Sequence, residues 1–210
     1  MIIYKSIKNI IFDLGEVLFD VDYKLTFEAF KRLGVDNFDE VYSKIRQTPL
    51  FDNFESGSIS ADTFRAGLRK YIPKPVNNKD IDNAWDAMLI GMPKDRLKLL
   101  EQLKNKYRLF LLSNTNELHI KAISKILHNN YGFKNLSHLF EKEYYSFKTG
   151  LRKPDFNAFE LILSENGLIP GETLFIDDTK MHIDAAKKSG IITYHFQQPE
   201  TLKNIALQIN

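Results

Sequence analysis

Three short apolar runs in this chain each stop at a small polar cluster. Ile10-Ile11-Phe12 stops at Asp13, Leu109-Phe110-Leu111-Leu112 at Ser113-Asn114, and Leu174-Phe175-Ile176 at Asp177-Asp178. Between the second and third runs lies a basic pair, Arg152-Lys153, followed by Pro154. These residues offer a carboxylate nucleophile in Asp13, a hydroxyl with following main-chain amides at Ser113, a cation in Lys153 and a second acidic pair. Such a set suits phosphoryl transfer. A carboxylate attacks phosphorus only if its repulsion from the phosphate dianion is offset. A divalent metal held by Asp13 and Asp178 would offset it, and Mg²⁺ prefers few carboxylates together with waters and phosphate oxygens. Ser113, Asn114 and the amides after them would bind phosphate oxygens at a helix N-terminus. Lys153 would hold phosphate and nucleophile together.

Residues so far apart in sequence can meet only if the fold brings them to one place. Each apolar run has the length and composition of a buried strand, and helical stripes lie between the runs from Pro93 onward. Leu97, Leu100 and Leu103 mark one helix; Ile120, Ile123 and Leu127 a second; Phe156, Phe159 and Leu163 a third; Ile183 and Ala186 a fourth, closing at Gly190. A short strand is expected near Leu139 to Tyr145, and a last one over Ile191 to His195. This alternation predicts an α/β fold, a Rossmann-like doubly wound parallel sheet with all strand carboxyl ends on one edge.

The stretch after Asp20-Val21-Asp22 reads differently, with helical stripes and no convincing strand from Tyr23 to about Gly91. Phe27, Phe30 and Leu33 precede Gly34 as a C-cap, and Phe38, Val41, Tyr42 and Ile45 run on to Pro49. Ser60 is placed to N-cap a helix carrying Phe64, Leu68 and Tyr71, and Ile81, Ala84, Trp85 and Met88 form a fourth stripe. The expected organisation is a Rossmann-like catalytic core over 1–19 plus 93–210, interrupted by a four-helix cap over 20–92.

With these motifs in view, the chain resembles the haloacid dehalogenase-like hydrolases. Four segments stand in that family's order: Phe12-Asp13-Leu14-Gly15-Glu16-Val17-Leu18, Leu112-Ser113-Asn114-Thr115, Arg152-Lys153-Pro154 and Phe175-Ile176-Asp177-Asp178. The helical insert falls between the first two, where the family carries its small cap. The Asp-Leu-Gly and Leu-Ser-Asn-Thr-Asn sequences are closest to the branch resembling α-D-glucose-1-phosphate phosphatases. The resemblance implies a Mg²⁺-dependent phosphatase of small phosphorylated metabolites, sugar phosphates among them, working through an aspartyl-phosphate on Asp13. It favours Asp178 over Asp177 as metal ligand, with Asp177 near a metal-bound water, and adds the main-chain carbonyl of Gly15. One departure stands out. The family's phosphatases usually have a second aspartate two residues after the nucleophile, to protonate the leaving oxygen and activate water, and Gly15 occupies that position here. Such acid–base help is typically worth roughly 10²–10⁴-fold. Glu16, Asp20 and Asp22 are the nearby acids that could replace it, and a leaving group needing little protonation, such as a sugar anomeric oxygen, would suit the gap.

Two other readings use the same fold. One is 2-haloacid dehalogenase chemistry, whose enzymes tend to carry Tyr-Gly-Thr where this chain has Gly15-Glu16-Val17. The other is a catalytically weak binding or regulatory protein, supported by Gly15 alone. Ser113 could also cap its helix, which is compatible with binding phosphate. Lys148 and Arg152 read as surface or supporting charges, Glu55 and Arg65 as a solvated helix face, and His119, His128, His138, His182 and His195 as structural.

Composition narrows the partners. With 29 basic and 27 acidic residues the net charge is only +2, which gives no electrostatic reason to expect nucleic acid or an anionic membrane. There is no cysteine, so disulfides and thiolate chemistry are excluded. No apolar run approaches the ~20 residues of a membrane span, and lysines interrupt the first residues too often for a signal-peptide core. A cytoplasmic setting is expected.

Overall fold

The computed structural model describes residues 6–46, 48–197 and 202. Five parallel strands form the central sheet: β1 (Asn9–Phe12), β4 (Arg108–Ser113), β5 (Lys142–Tyr145), β6 (Thr173–Asp177) and β7 (Ile192–His195), in spatial order β5-β4-β1-β6-β7. Phe12 lies opposite Leu111 of β4 and Ile176 of β6, so Asp13, Ser113 and Asp177 all arrive at the same edge of the sheet.

Strand side chains alternate between two cores. Ile10, Phe12, Leu111 and Ile176 pack under α6 (Lys94–Leu103) and α7 (Glu117–Tyr131). Ile11, Phe110, Leu112 and Phe175 face α9 (Phe156–Asn166) and α10 (Lys180–Lys188). Helices on both faces explain why the central strands β1, β4 and β6 read as apolar runs: almost no part of either face meets water. Among the described residues, no helix is long and apolar enough to cross a membrane.

Among the described residues, the insert holds the four expected helices and one more. They are α1 (Tyr23–Arg32), α2 (Phe38–Arg46), α3 (Leu50–Glu55), α4 (Ala61–Arg69) and α5 (Asn78–Asp86). The addition, α3, has six residues, too few to show a helical stripe, and starts directly after Pro49. Asp22, Ser60 and Asn77 cap α1, α4 and α5 by accepting from main-chain amides of the first turn. The insert has its own core, in which Phe54 stacks on Phe64 and Phe51 on Trp85. A short pair, β2 (Asp20–Val21) and antiparallel β3 (Leu89–Gly91), joins its two ends. β3 was not apparent from sequence because three residues cannot display alternation.

The insert is docked on the core through the turn between α3 and α4. Gly57, at φ +72°, lies where a Cβ would stand 2.2 Å from the carbonyl oxygen of Phe147, so only glycine fits. The amide of Ala61 donates to Glu117 Oε1 at 3.1 Å. Phe51, Trp85 and His119 stack in a column running from α3 through α5 to α7.

Candidate active site

The floor of the cleft between sheet edge and insert is built around Lys153. Its Nζ lies 2.6 Å from Asp13 Oδ1 and 2.6 Å from Asp177 Oδ2, and its side chain is only 1% exposed. A lysine so deep is held in place by other groups. The side-chain amide of Asn114 donates to the Lys153 carbonyl at 2.7 Å and accepts from the Lys153 amide at 2.9 Å. One residue on, Ser146 Oγ accepts from the Thr115 amide and donates to the Thr115 carbonyl, each at 3.0 Å. Ser146 begins α8 (Ser146–Thr149), a single helical turn. These two reciprocal clamps tie the end of β4 to the lysine loop.

Several expected roles change with this geometry. Asn114, expected at the phosphate, has its carboxamide turned to the Lys153 main chain, and the Thr115 amide is engaged by Ser146. The cap of α7 is Asn116, which accepts from His119 N, so Ser113 does not cap the helix; it is buried and lines the cleft. Arg152 spans from core to insert, with Nη1 2.7 Å from Asp52 Oδ1 and Nη2 2.6 Å from Glu55 Oε2. Glu55 is therefore part of an ion pair at the cleft and not of a freely solvated face. Arg65 joins α4 to α5 through Asp82 at 2.7 Å, also paired with Asp62.

Two histidines also enter the site. His182 Nδ1 lies 3.1 Å from both oxygens of Asp177, and His195 Nε2 donates to the Asp178 carbonyl at 2.8 Å. Sequence gave only a faint sign of the first, a histidine in the opening turn of the helix after the acidic pair, and none of the second.

Burial and pairing divide the acids. Burial pushes the Asp13 carboxyl up to about 6, although Lys153 pulls the other way. Burial acts on Asp177 too, but Lys153 and His182 outweigh it and bring the group down to about 2. Lys153 loses solvation, yet Asp13 and Asp177 together hold it above the ordinary lysine range. Burial and then Asp177 raise Asp178; burial, Asp178 and Asp20 raise Glu16.

Carboxylate oxygens from Asp13, Asp177 and Asp178 lie within 4.8 Å of one another. Asp177 already accepts from Lys153, the Thr179 amide and His182, and does not line the cleft. Asp13, Gly15 and Asp178 do line it. The Gly15 carbonyl accepts from Val17 N at 2.6 Å and keeps a second lone pair. Hard oxygen donors of this kind fit a small divalent cation such as Mg²⁺. Between Gly15 and Val17 the chain makes a tight turn with Glu16 at φ +59°, a conformation few side-chain-bearing residues adopt. Asp20 is paired with Arg96 at 2.8 Å and Asp22 caps α1, so of the three acids near Gly15 only Glu16 lines the cleft.

Comparison with known proteins agrees with this architecture. A sequence profile described as hydrolase, haloacid dehalogenase-like, matches residues 7–190. The chain is 32% identical over 194 residues, 92% of each protein, to a D-ribitol-5-phosphate phosphatase of Bacteroides thetaiotaomicron. It also resembles a HAD family enzyme from the same organism, solved with magnesium and inorganic phosphate: 36% identity, TM-score 0.87, 95% of this chain and 98% of that one. A HAD-like hydrolase structure from Porphyromonas gingivalis matches at 30% identity and TM-score 0.85, covering 97% of each chain.

Proposed function

The chain belongs to the haloacid dehalogenase-like hydrolase family, and on that premise we propose that it is a phosphatase of small phosphorylated metabolites, sugar or polyol phosphates foremost. The observation that carries the reading is the buried Lys153 bridging Asp13 and Asp177 at 2.6 Å, on the floor of a cleft also lined by Ser113 and Asp178. The relatives named as a phosphatase and solved with magnesium and phosphate support it.

In this reading residues 20–92 cap a core formed by 1–19 and 93–210. Asp13 is the nucleophile, and Lys153 fixes the direction of its carboxylate while offsetting charge on the phosphate. An Asp13 oxygen bonds to phosphorus as the bond to the leaving oxygen breaks, giving an aspartyl-phosphate and an alkoxide that takes up a proton to leave as the alcohol. Water then cleaves the aspartyl-phosphate, releasing inorganic phosphate and restoring the Asp13 carboxylate. Asp13, Asp178 and the Gly15 carbonyl would hold Mg²⁺, which when bound supplies positive charge against the phosphate dianion. Ser113 donates to a phosphate oxygen, and Asn114 acts through Lys153. Glu16 is the acid available to a leaving group that Gly15 cannot protonate. The donor set also favours this chemistry over metal-free displacement of halide from carbon.

The test is phosphate release from a panel of sugar, polyol and other metabolite monophosphates with Mg²⁺ present. Turnover of at least one member is expected, stopped by chelator and abolished in Asp13→Asn. Turnover that survives both treatments would refute the assignment.

A further inference from the structure

The cleft, about 610 Å³ in volume, is unevenly charged. Among the described residues its walls carry five carboxylates, Asp13, Glu16, Asp52, Glu55 and Asp178, and two cations, Lys153 and Arg152. Lys153 is committed at the floor to Asp13 and Asp177. Arg152 is committed on the insert side, each terminal nitrogen meeting a different carboxylate, Asp52 at 2.7 Å and Glu55 at 2.6 Å. Two histidines also stand on the wall. His182 faces Asp177, and burial brings His119 down to about 4, leaving it neutral near neutral pH. A divalent cation would offset two of the negative charges, and a phosphate dianion would restore them.

We propose that the site selects phosphomonoesters by the charge of the leaving group: neutral or cationic leaving groups are admitted, and those bearing a second anionic group are rejected because Asp52 and Glu55 have taken Arg152, the one cation among the described residues of the wall that could receive it. This rests on the phosphatase reading and narrows its substrate class. Recognition of a second phosphate or carboxylate needs a cation whose charge is not already spent, ideally the fork of an arginine. Arg152 has that fork, with both arms occupied. An anionic leaving group would have to break those pairs or sit beside Glu16 without compensation, and like charges at such distances are repulsive under partial burial. Polyols, neutral sugars and amino sugars fit the cleft; bisphosphates, nucleotides and phosphorylated sugar acids do not.

The experiment uses the wild-type chain with Mg²⁺ and two matched series. One is glucosamine 6-phosphate, glucose 6-phosphate and 6-phosphogluconate; the other is 4-(aminomethyl)phenyl, phenyl and 4-carboxyphenyl phosphate. The anionic member is expected to fall at least about tenfold below the neutral one in kcat/KM, with the cationic member equal or better. In Asp52→Asn/Glu55→Gln, which releases Arg152, the anionic-to-neutral ratio should rise by about tenfold. An anionic member within about threefold of the neutral one in the wild type overturns the proposal. If no compound in either series or the wider panel is hydrolysed, the phosphatase reading fails separately. The charge rule is then read from thermal shifts with the same compounds, and equal shifts from neutral and anionic members overturn it.

Discussion

Replacing Lys153 by methionine keeps most of the side chain's length and removes its charge. In the native structure that charge stands 2.6 Å from each of two carboxylates whose side chains are 12% and 0% exposed. Removing one partner of a buried ion pair typically costs about 3–5 kcal/mol, because the remaining charge has no compensation. Asp177 keeps His182 and the Thr179 amide, so the larger share of the loss should fall on Asp13. The pH dependence separates this cause from simple loss of packing. In the wild type the Asp13 carboxyl is up from 3.8 to about 6, so its folded form binds a proton more readily than the unfolded chain. Its favourable contribution is full below the unfolded value and is lost as pH rises through about 6. Asp177 has the opposite sign. Down at about 2 from 3.8, it contributes about 2 kcal/mol above the unfolded value, which is lost as pH falls towards 2. Without Lys153 the Asp13 value rises further, so between about pH 7.5 and about pH 5 the variant should gain more stability than the wild type. The gap should narrow by about 2 kcal/mol. Urea unfolding of both proteins in chelator, at the two pH values, measures this. A deficit below about 1 kcal/mol near pH 7.5, or one that stays constant on acidification, would refute the reasoning.

Other substitutions probe the surrounding parts. Asn114→Ala should cost about 1–3 kcal/mol by leaving the Lys153 amide and carbonyl without their partners, and should lower kcat more than it raises KM; an unchanged kcat would deny Asn114 its positioning role. Gly15→Asp should fold normally, since an added Cβ meets only Val21 Cγ2, at 3.8 Å. It should raise kcat by about tenfold or more by restoring a proton donor, and a folded variant with no gain would show that protonation does not limit turnover. Asp178→Asn should abolish the rise in melting temperature that Mg²⁺ gives the wild type, and an undiminished rise would remove Asp178 from the metal site.

The sequence revealed much of the sheet because burial on both faces leaves a plain mark, an apolar run ending in polar residues. Asp13, Ser113 and Asp177 could be placed on one edge from that mark alone, since parallel strands share their carboxyl ends. Elements of two to six residues, β2, β3 and α3, were less legible because periodicity needs length. The roles of Asn114 and Arg152 were also hidden, for a different reason. A carboxamide or guanidinium declares what it can bond to, and only the tertiary structure decides whether its partner is phosphate, main chain or a carboxylate on the insert. His182 and His195 are similar: lacking any ligand-like spacing, they read as structural until the turn of α10 and the end of β7 bring them to the acidic pair.

The middle position of β1 in the sheet also bears on how the protein comes into being. This strand is made first, yet its neighbours, β4 and β6, begin at Arg108 and Thr173. As the chain leaves the ribosome, the segment carrying Asp13 waits for partners that appear only after the whole insert has been synthesised. The insert's packing is more local, joining α1 with α5 and α3 with α4, so it can condense while β1 is still without its neighbours. Asp13 acquires Lys153 and Asp177 together with the last strands. A nascent or truncated chain thus carries Asp13 without its charge partner, and the charged cluster around it is complete only once the last strands are in place.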